Sequence, residues 1–73
     1  MERKIYRVVP NNGNWQVKKD GIVLSNHVLK SDAITKGRSL AVANQPSQLV
    51  IHRADGTIET EFTYGNDPYP PAG

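Results

Sequence analysis

Two runs near the start of the chain, Ile5-Tyr6-Arg7-Val8-Val9-Pro10 and Trp15-Gln16-Val17-Lys18-Lys19, are rich in β-branched and aromatic residues, and Asn11-Asn12-Gly13-Asn14 separates them. An Asn-Gly pair accommodates the positive φ angles of a two-residue hairpin turn, so the runs predict paired antiparallel strands. That turn sets Val8 opposite Val17 and Tyr6 opposite Lys19. Tyr6, Val8, Trp15 and Val17 then share one face, and Arg7, Gln16 and Lys18 the other. Asp20-Gly21 predicts a second turn, which returns Gly21-Ile22-Val23-Leu24-Ser25 along the second strand with Leu24 opposite Val17. Ile22 and Leu24 thereby join the apolar face, and two independent turns agree on one core.

Beyond the less regular Asn26-His27-Val28-Leu29, the period changes. Ser31 is the expected N-cap, Asp32 suits a helix N-terminus, and the helix should run from about Asp32 to Asn44 before Pro46. Ala33, Ile34, Gly37, Leu40 and Ala41 fall on one narrow stripe of mostly small residues. Gly37 costs a helix interior about 1 kcal/mol against alanine, a cost consistent with close approach of helix to sheet. Gln48-Leu49-Val50-Ile51-His52-Arg53 and Thr57-Ile58-Glu59-Thr60-Glu61-Phe62 predict another hairpin around Asp55-Gly56. A two-residue turn there puts Leu49, Ile51, Ile58 and Phe62 on the core face. A three-residue turn with a bulge would shift the pairing by one, and the alternation favours the first.

These elements predict an α+β fold, a twisted antiparallel sheet of about five strands in the order βββαββ with one helix on one face. Residues 1–63 form the domain, and 64–73, with Pro68, Pro70 and Pro71, an extended tail that cannot be a central strand or a helix. A chain of 73 residues supports one core and leaves little for a deep cavity.

Composition narrows the function classes. The sequence has no cysteine, which removes disulfides, thiolate metal sites and cysteine nucleophiles. Met1-Glu2-Arg3-Lys4 opens no apolar segment, so the expectation is a soluble, cytoplasmic, unprocessed protein. The net charge of +2 is small, but it is unevenly distributed. Up to Arg53 there are nine basic and three acidic residues, net +6; from Ala54 onward there are four acidic residues and no basic one, net −4.

Taken together, Tyr6-Arg7-Val8-Val9-Pro10, Trp15-Gln16-Val17-Lys18, Ala33-Ile34, Leu49-Val50-Ile51-His52-Arg53, Asp55-Gly56-Thr57-Ile58 and the closing Tyr64-Gly65-Asn66-Asp67-Pro68-Tyr69-Pro70-Pro71 resemble a bacterial and phage family of short proteins known as a domain of unknown function. The resemblance covers nearly the whole chain. It implies a freestanding bacterial or phage domain and carries over no activity. The helix departs from the family pattern in being less charged and in containing Gly37.

Candidate chemistry is sparse. His27 and His52 lie in no metal-ligand spacing. His52 is expected directly opposite Glu59 as a cross-strand polar pair. Ser25, Ser31, Ser39 and Ser47 have no nucleophile-elbow context, and no glycine-rich loop precedes the helix. The chain is therefore expected not to be an enzyme and to use no metal, cofactor or small-molecule substrate. The face away from the helix collects Ile5, Arg7, Val9, Gln16, Lys18, Val23, Val50 and His52, a mixture of β-branched and cationic residues that suits a modest protein interface. A protein partner or self-association through this face is the leading expectation, and no membrane contact is expected. The alternative is nucleic-acid binding by basic residues of the first hairpin and the helix flanks, Lys36 and Arg38. It is weakened because Tyr6, Trp15 and Phe62 point to the core and offer bases no exposed stacking surface.

Overall fold

The computed structural model describes residues 3–65. Strands β1 (Lys4–Asn11), β2 (Asn14–Lys19) and β3 (Ile22–His27) precede helix α1 (Lys30–Ala43), and β4 (Ser47–His52) and β5 (Ile58–Tyr64) follow it. The α+β class and the βββαββ order are as the sequence implies. The strands form one sheet in the order β3-β2-β1-β4-β5. All neighbouring pairs are antiparallel except β1 and β4, which run parallel, so the sheet is mixed. The helical crossover from β3 delivers β4 to the free edge of β1, a pairing that local turn signals do not encode. The expected tail lies outside the described residues from Asn66 onward, while Tyr64, its first residue, is the last of β5.

The first two turns form as their residues require. Asn12 and Gly13 both have positive φ, 51° and 84°, and Asp20 and Gly21 do too, at 53° and 79°. Val8 pairs with Val17 and Tyr6 with Lys19. Helix α1 packs over β1, β2 and β4, with β3 nearer its margin. Its stripe is the expected one, with Ala33, Gly37 and Ala41 buried and Ile34 and Leu40 packed against the core. A Cβ at Gly37 would stand 2.9 Å from Leu49 Cδ1 and 3.3 Å from Val8 Cγ2, so a hydrogen at this position is what lets helix and sheet approach.

The ends of the helix correct the capping expectation. It begins two residues earlier, with Leu29 in extended conformation as N-cap and no side-chain cap, and Ser31 lies inside the first turn. There its carbonyl accepts from Thr35 Oγ1 at 3.1 Å. At the other end Asn44 Nδ2 donates to Leu40 O at 2.8 Å, and the buried Ser47 hydroxyl donates to Ala41 O at 2.5 Å. Arg3 Nη1 donates to Ser47 O and Tyr64 O, both at 3.2 Å, and so ties the lead-in to β1 across β4 to β5.

Two β-bulges revise the core. Beside β3, pairing shifts between Val17 and Lys18, so Val17 faces Ser25 while Lys18 faces Val23. Leu24 is the extra residue and is 44% exposed, and Ile22, at the sheet edge beyond the helix, is 64% exposed. In the last hairpin, Arg53 N donates to Thr57 O at 2.7 Å and Gly56 N to Arg53 O at 2.9 Å, which closes a three-residue loop, not the two-residue turn expected. His52 then faces Ile58, and the bulge at Glu59 restores Ile51 to Thr60 and Leu49 to Phe62. Ile58 is consequently turned off the core face and is 46% exposed. Phe62 keeps the helix-facing side but stays 40% exposed on the edge strand. The helix reaches β5 through long cations: Lys30 Nζ bonds Glu59 Oε1 at 2.5 Å, and Arg38 lies 5.9 Å from the Phe62 ring centroid. The buried core is Tyr6, Val8, Val17, Ala33, Ala41, Leu49 and Ile51, flanked by Trp15 and Tyr64.

Candidate interaction surface

The sheet face opposite the helix is set by the strand period of two. On β1 it carries Ile5, Arg7 and Val9; on β2, Gln16 and Lys18; on β3, Val23 and Asn26; on β4, Gln48, Val50 and His52. β5 adds Ile58, Glu61 and Thr63. Ile5, Arg7, Val9, Lys18 and His52, all read from sequence as surface candidates, line one groove of about 390 Å³ together with Asp20 and Gly21. Asp20 and Gly21 were legible only as a turn, and because Tyr6 pairs with Lys19 that turn follows β2 beside Ile5 and joins the groove.

The other three candidates lie apart from it. Val23 is 41% exposed on edge strand β3. Gln16 donates to Asn26 Oδ1 at 2.9 Å on the same face. Val50 is 3% exposed and so offers no surface, since its cross-strand neighbours are Arg7 and Glu61, whose long stems can shield a valine between them.

His52 does not meet Glu59. Its Nδ1 lies 2.9 Å from Gly56 O and its Nε2 3.2 Å from Arg7 Nη1. A carbonyl only accepts and a guanidinium only donates, so this arrangement is met by the neutral ring with its proton on Nδ1. The Glu59 carboxylate faces the helix and is held below the usual carboxylate range by the hydrogen bond from Lys30 and by that group's charge. At the loop, Thr57 hydroxyl and amide both donate to Asp55 Oδ1, at 2.6 and 2.9 Å, and hold Asp55 below its ordinary value. Glu61 accepts from Gln48 Nε2. No group of three or more His, Cys, Asp or Glu among the described residues is placed to hold a metal ion. His27 is engaged with Ser25 Oγ at 2.9 Å on the helix side of the sheet.

Exposed apolar side chains concentrate at one edge, in Ile22, Val23 and Leu24 of β3 and in Val28 and Leu29 just after it. Trp15 keeps to the helix side, where Lys30 Nζ sits 5.0 Å from its ring centroid. Among the described residues no helix is long and apolar enough to cross a membrane.

A five-stranded mixed sheet with one face sealed by a helix and the other open, grooved and cationic defines a small α+β domain of two layers. The chain belongs to a family of uncharacterised proteins conserved in bacteria, DUF2188, whose family model matches residues 6–64. The family resemblance drawn from the motifs is thus sound at this level, although the closing segment after Tyr64 lies beyond the match. No curated protein and no solved structure matches the chain.

Proposed function

We propose that this domain is a non-enzymatic interaction module that binds a protein partner, a second copy included, through the sheet face left open by the helix. The observation that carries this reading is the groove of about 390 Å³ on that face, where Ile5 and Val9 flank Arg7 and Lys18. Aliphatic surface beside uncompensated charge is the composition of a modest protein interface, with arginine favoured at its centre. Nucleic-acid binding has less support. Tyr6, Trp15, Phe62 and Tyr64 all lie on the helix side, so among the described residues no aromatic ring on the open face offers itself to a base. Sedimentation at low and high salt, run alongside mobility-shift assays with DNA and RNA, tests the reading. Self-association, or capture of a polypeptide lost on Val9→Asp, is expected; a monomer that retards nucleic acid with a steep salt slope overturns it.

A further inference from the structure

Resting on that reading, we infer that the groove accepts an extended acidic peptide segment of a different protein, with a carboxylate on Arg7 and Lys18 and aliphatic side chains on Ile5 and Val9. Arg7 stands directly opposite Lys18 across β1 and β2. Like charges so placed work against the sheet. Among the described residues neither is relieved by an ion pair, since those that form are Lys19 with Asp20 and Lys30 with Glu59. Among the described residues the one group that bonds the Arg7 side chain, His52 Nε2 at 3.2 Å, is the neutral nitrogen of a ring already donating to Gly56 O, so it orients the guanidinium without cancelling its charge. Asp20 shares the groove but is bonded to Lys19 at 2.9 Å. A fork-shaped guanidinium held in place beside an ammonium is a carboxylate site awaiting its anion.

The spacing on β1 narrows the class. Ile5, Arg7 and Val9 alternate with core residues, so they stand about 6.8 Å apart along the face, twice the rise of an extended strand. An extended ligand has the same period and presents every second side chain to the sheet. Its pattern is therefore aliphatic, any, acidic, any, aliphatic. The described part of a second copy is a poor source of that anion. Asp55, Glu59 and Glu61 are already bonded to Thr57, Lys30 and Gln48, which leaves Asp32 at the helix start as the one described carboxylate without a side-chain contact. A phosphate chain is disfavoured because the aliphatic flanks would strip water from its charged oxygens and offer them no hydrogen bond in exchange.

The test is a ¹⁵N-NMR titration of the full chain at low salt with the capped peptide Leu-Ser-Glu-Ser-Leu, its Gln-for-Glu twin, and a single-stranded ten-base oligonucleotide. Saturable shifts centred on Arg7, Lys18 and His52 are expected, with the twin at least tenfold weaker. Lys18→Gln, which deletes a charge and breaks no hydrogen bond or ion pair among the described residues, should weaken binding at least fivefold at unchanged Tm. Equal binding of the twin, shifts elsewhere, or tighter binding of the oligonucleotide overturns the inference. If the peptide leaves the groove unshifted while Val9→Asp abolishes self-association, the acidic ligand is refuted and the broader interface reading stands; if Val9→Asp changes neither assembly nor capture, both fall.

Discussion

Gly37→Ala isolates the contact that fixes helix to sheet. On an exposed helix the change would stabilise by about 1 kcal/mol through propensity. Here the new methyl meets Leu49 Cδ1 at 2.9 Å and Val8 Cγ2 at 3.3 Å. Leu49, Val8 and the adjacent Val17 are all fully buried, so none can swing away into solvent. Overpacking of this kind costs about 1–3 kcal/mol, which leaves Gly37→Ala about 0–2 kcal/mol less stable than the parent. The background supplies the control. Leu49→Val removes the methyl in closest contact at a cost of about 1 kcal/mol, tolerable in a domain of this size, whose total is about 4–11 kcal/mol. In that background Gly37→Ala should be neutral or should stabilise by up to about 1 kcal/mol, giving a favourable coupling of up to about 3 kcal/mol. Urea unfolding read by the fluorescence of Trp15, the sole tryptophan, measures all four corners of the cycle. Equal stabilisation by Gly37→Ala in both backgrounds would refute the close approach.

Gly65→Ala should lower stability by more than about 1 kcal/mol in the same assay, because residue 65 has φ of +103° and its Cβ would stand 2.9 Å from Pro46 Cα, a backbone atom that cannot rotate aside. Removing the Arg3 guanidinium from two carbonyls, Ser47 O and Tyr64 O, should cost about 1–2 kcal/mol in Arg3→Ala, and Arg3→Lys should recover only part of it. Asp55 and Glu59, held below their ordinary values of 3.8 and 4.5 by Thr57 and Lys30, contribute stability that is present above those values and lost as pH falls through the lower native ones. Thermal melts from pH 6 to pH 2.5 should therefore show Tm falling below about pH 4.5, with a shallower fall in Glu59→Gln; identical acid slopes would refute the Lys30 assignment. Lys18→Gln should leave Tm unchanged or raise it slightly, since it removes a like-charge opposition across β1 and β2.

The sequence carried the local geometry because turn residues and strand period act over a few positions. Asn12-Gly13 and Asp20-Gly21 each demand positive φ, and once they turn, the facing of Tyr6, Val8 and Val17 follows. The small-residue stripe of the helix was legible for a similar reason. What stayed hidden depends on partners remote in sequence. The parallel pairing of β1 with β4 comes from the crossover, and no residue of Leu49-Val50-Ile51 distinguishes a parallel neighbour from an antiparallel one. Ile22-Val23-Leu24 is apolar at three consecutive positions, so no alternation exists to reveal that Leu24 is an extra residue. At Asp55-Gly56 the loop length decided the outcome. Thr57 and Arg53 close a three-residue loop, Ile58 turns outward, and the bulge at Glu59 undoes the shift before Phe62. The alternation of Ile58 and Phe62 favoured the two-residue register, and only the bulge at Glu59 lets the three-residue loop keep Phe62 on the helix side. His52 lost its expected partner by the same slip and gained Arg7, which is how one loop residue reshapes the candidate surface.

The two edges of the sheet bear on where recognition would reside. Strand β5 carries Glu59 and Glu61 and a bulge, three devices that discourage pairing with another strand. Strand β3, Ile22–His27, has no charged residue and exposes Ile22, Val23 and Leu24, so among the described residues its bulge is its one protection. Backbone pairing at such an edge is indifferent to most side chains, and it would serve affinity without selecting a partner. The groove as proposed is different in kind, because there Arg7 and Lys18 would reject a cation or a neutral residue and accept a carboxylate. Discrimination is a difference between two affinities, and an uncompensated charge pair supplies such a difference where an apolar edge does not. A partner that lay along β1 could use both, since β2 alone separates the groove strand from β3. On that arrangement the edge governs how tightly a bound segment is held, and the cations govern which segment it is.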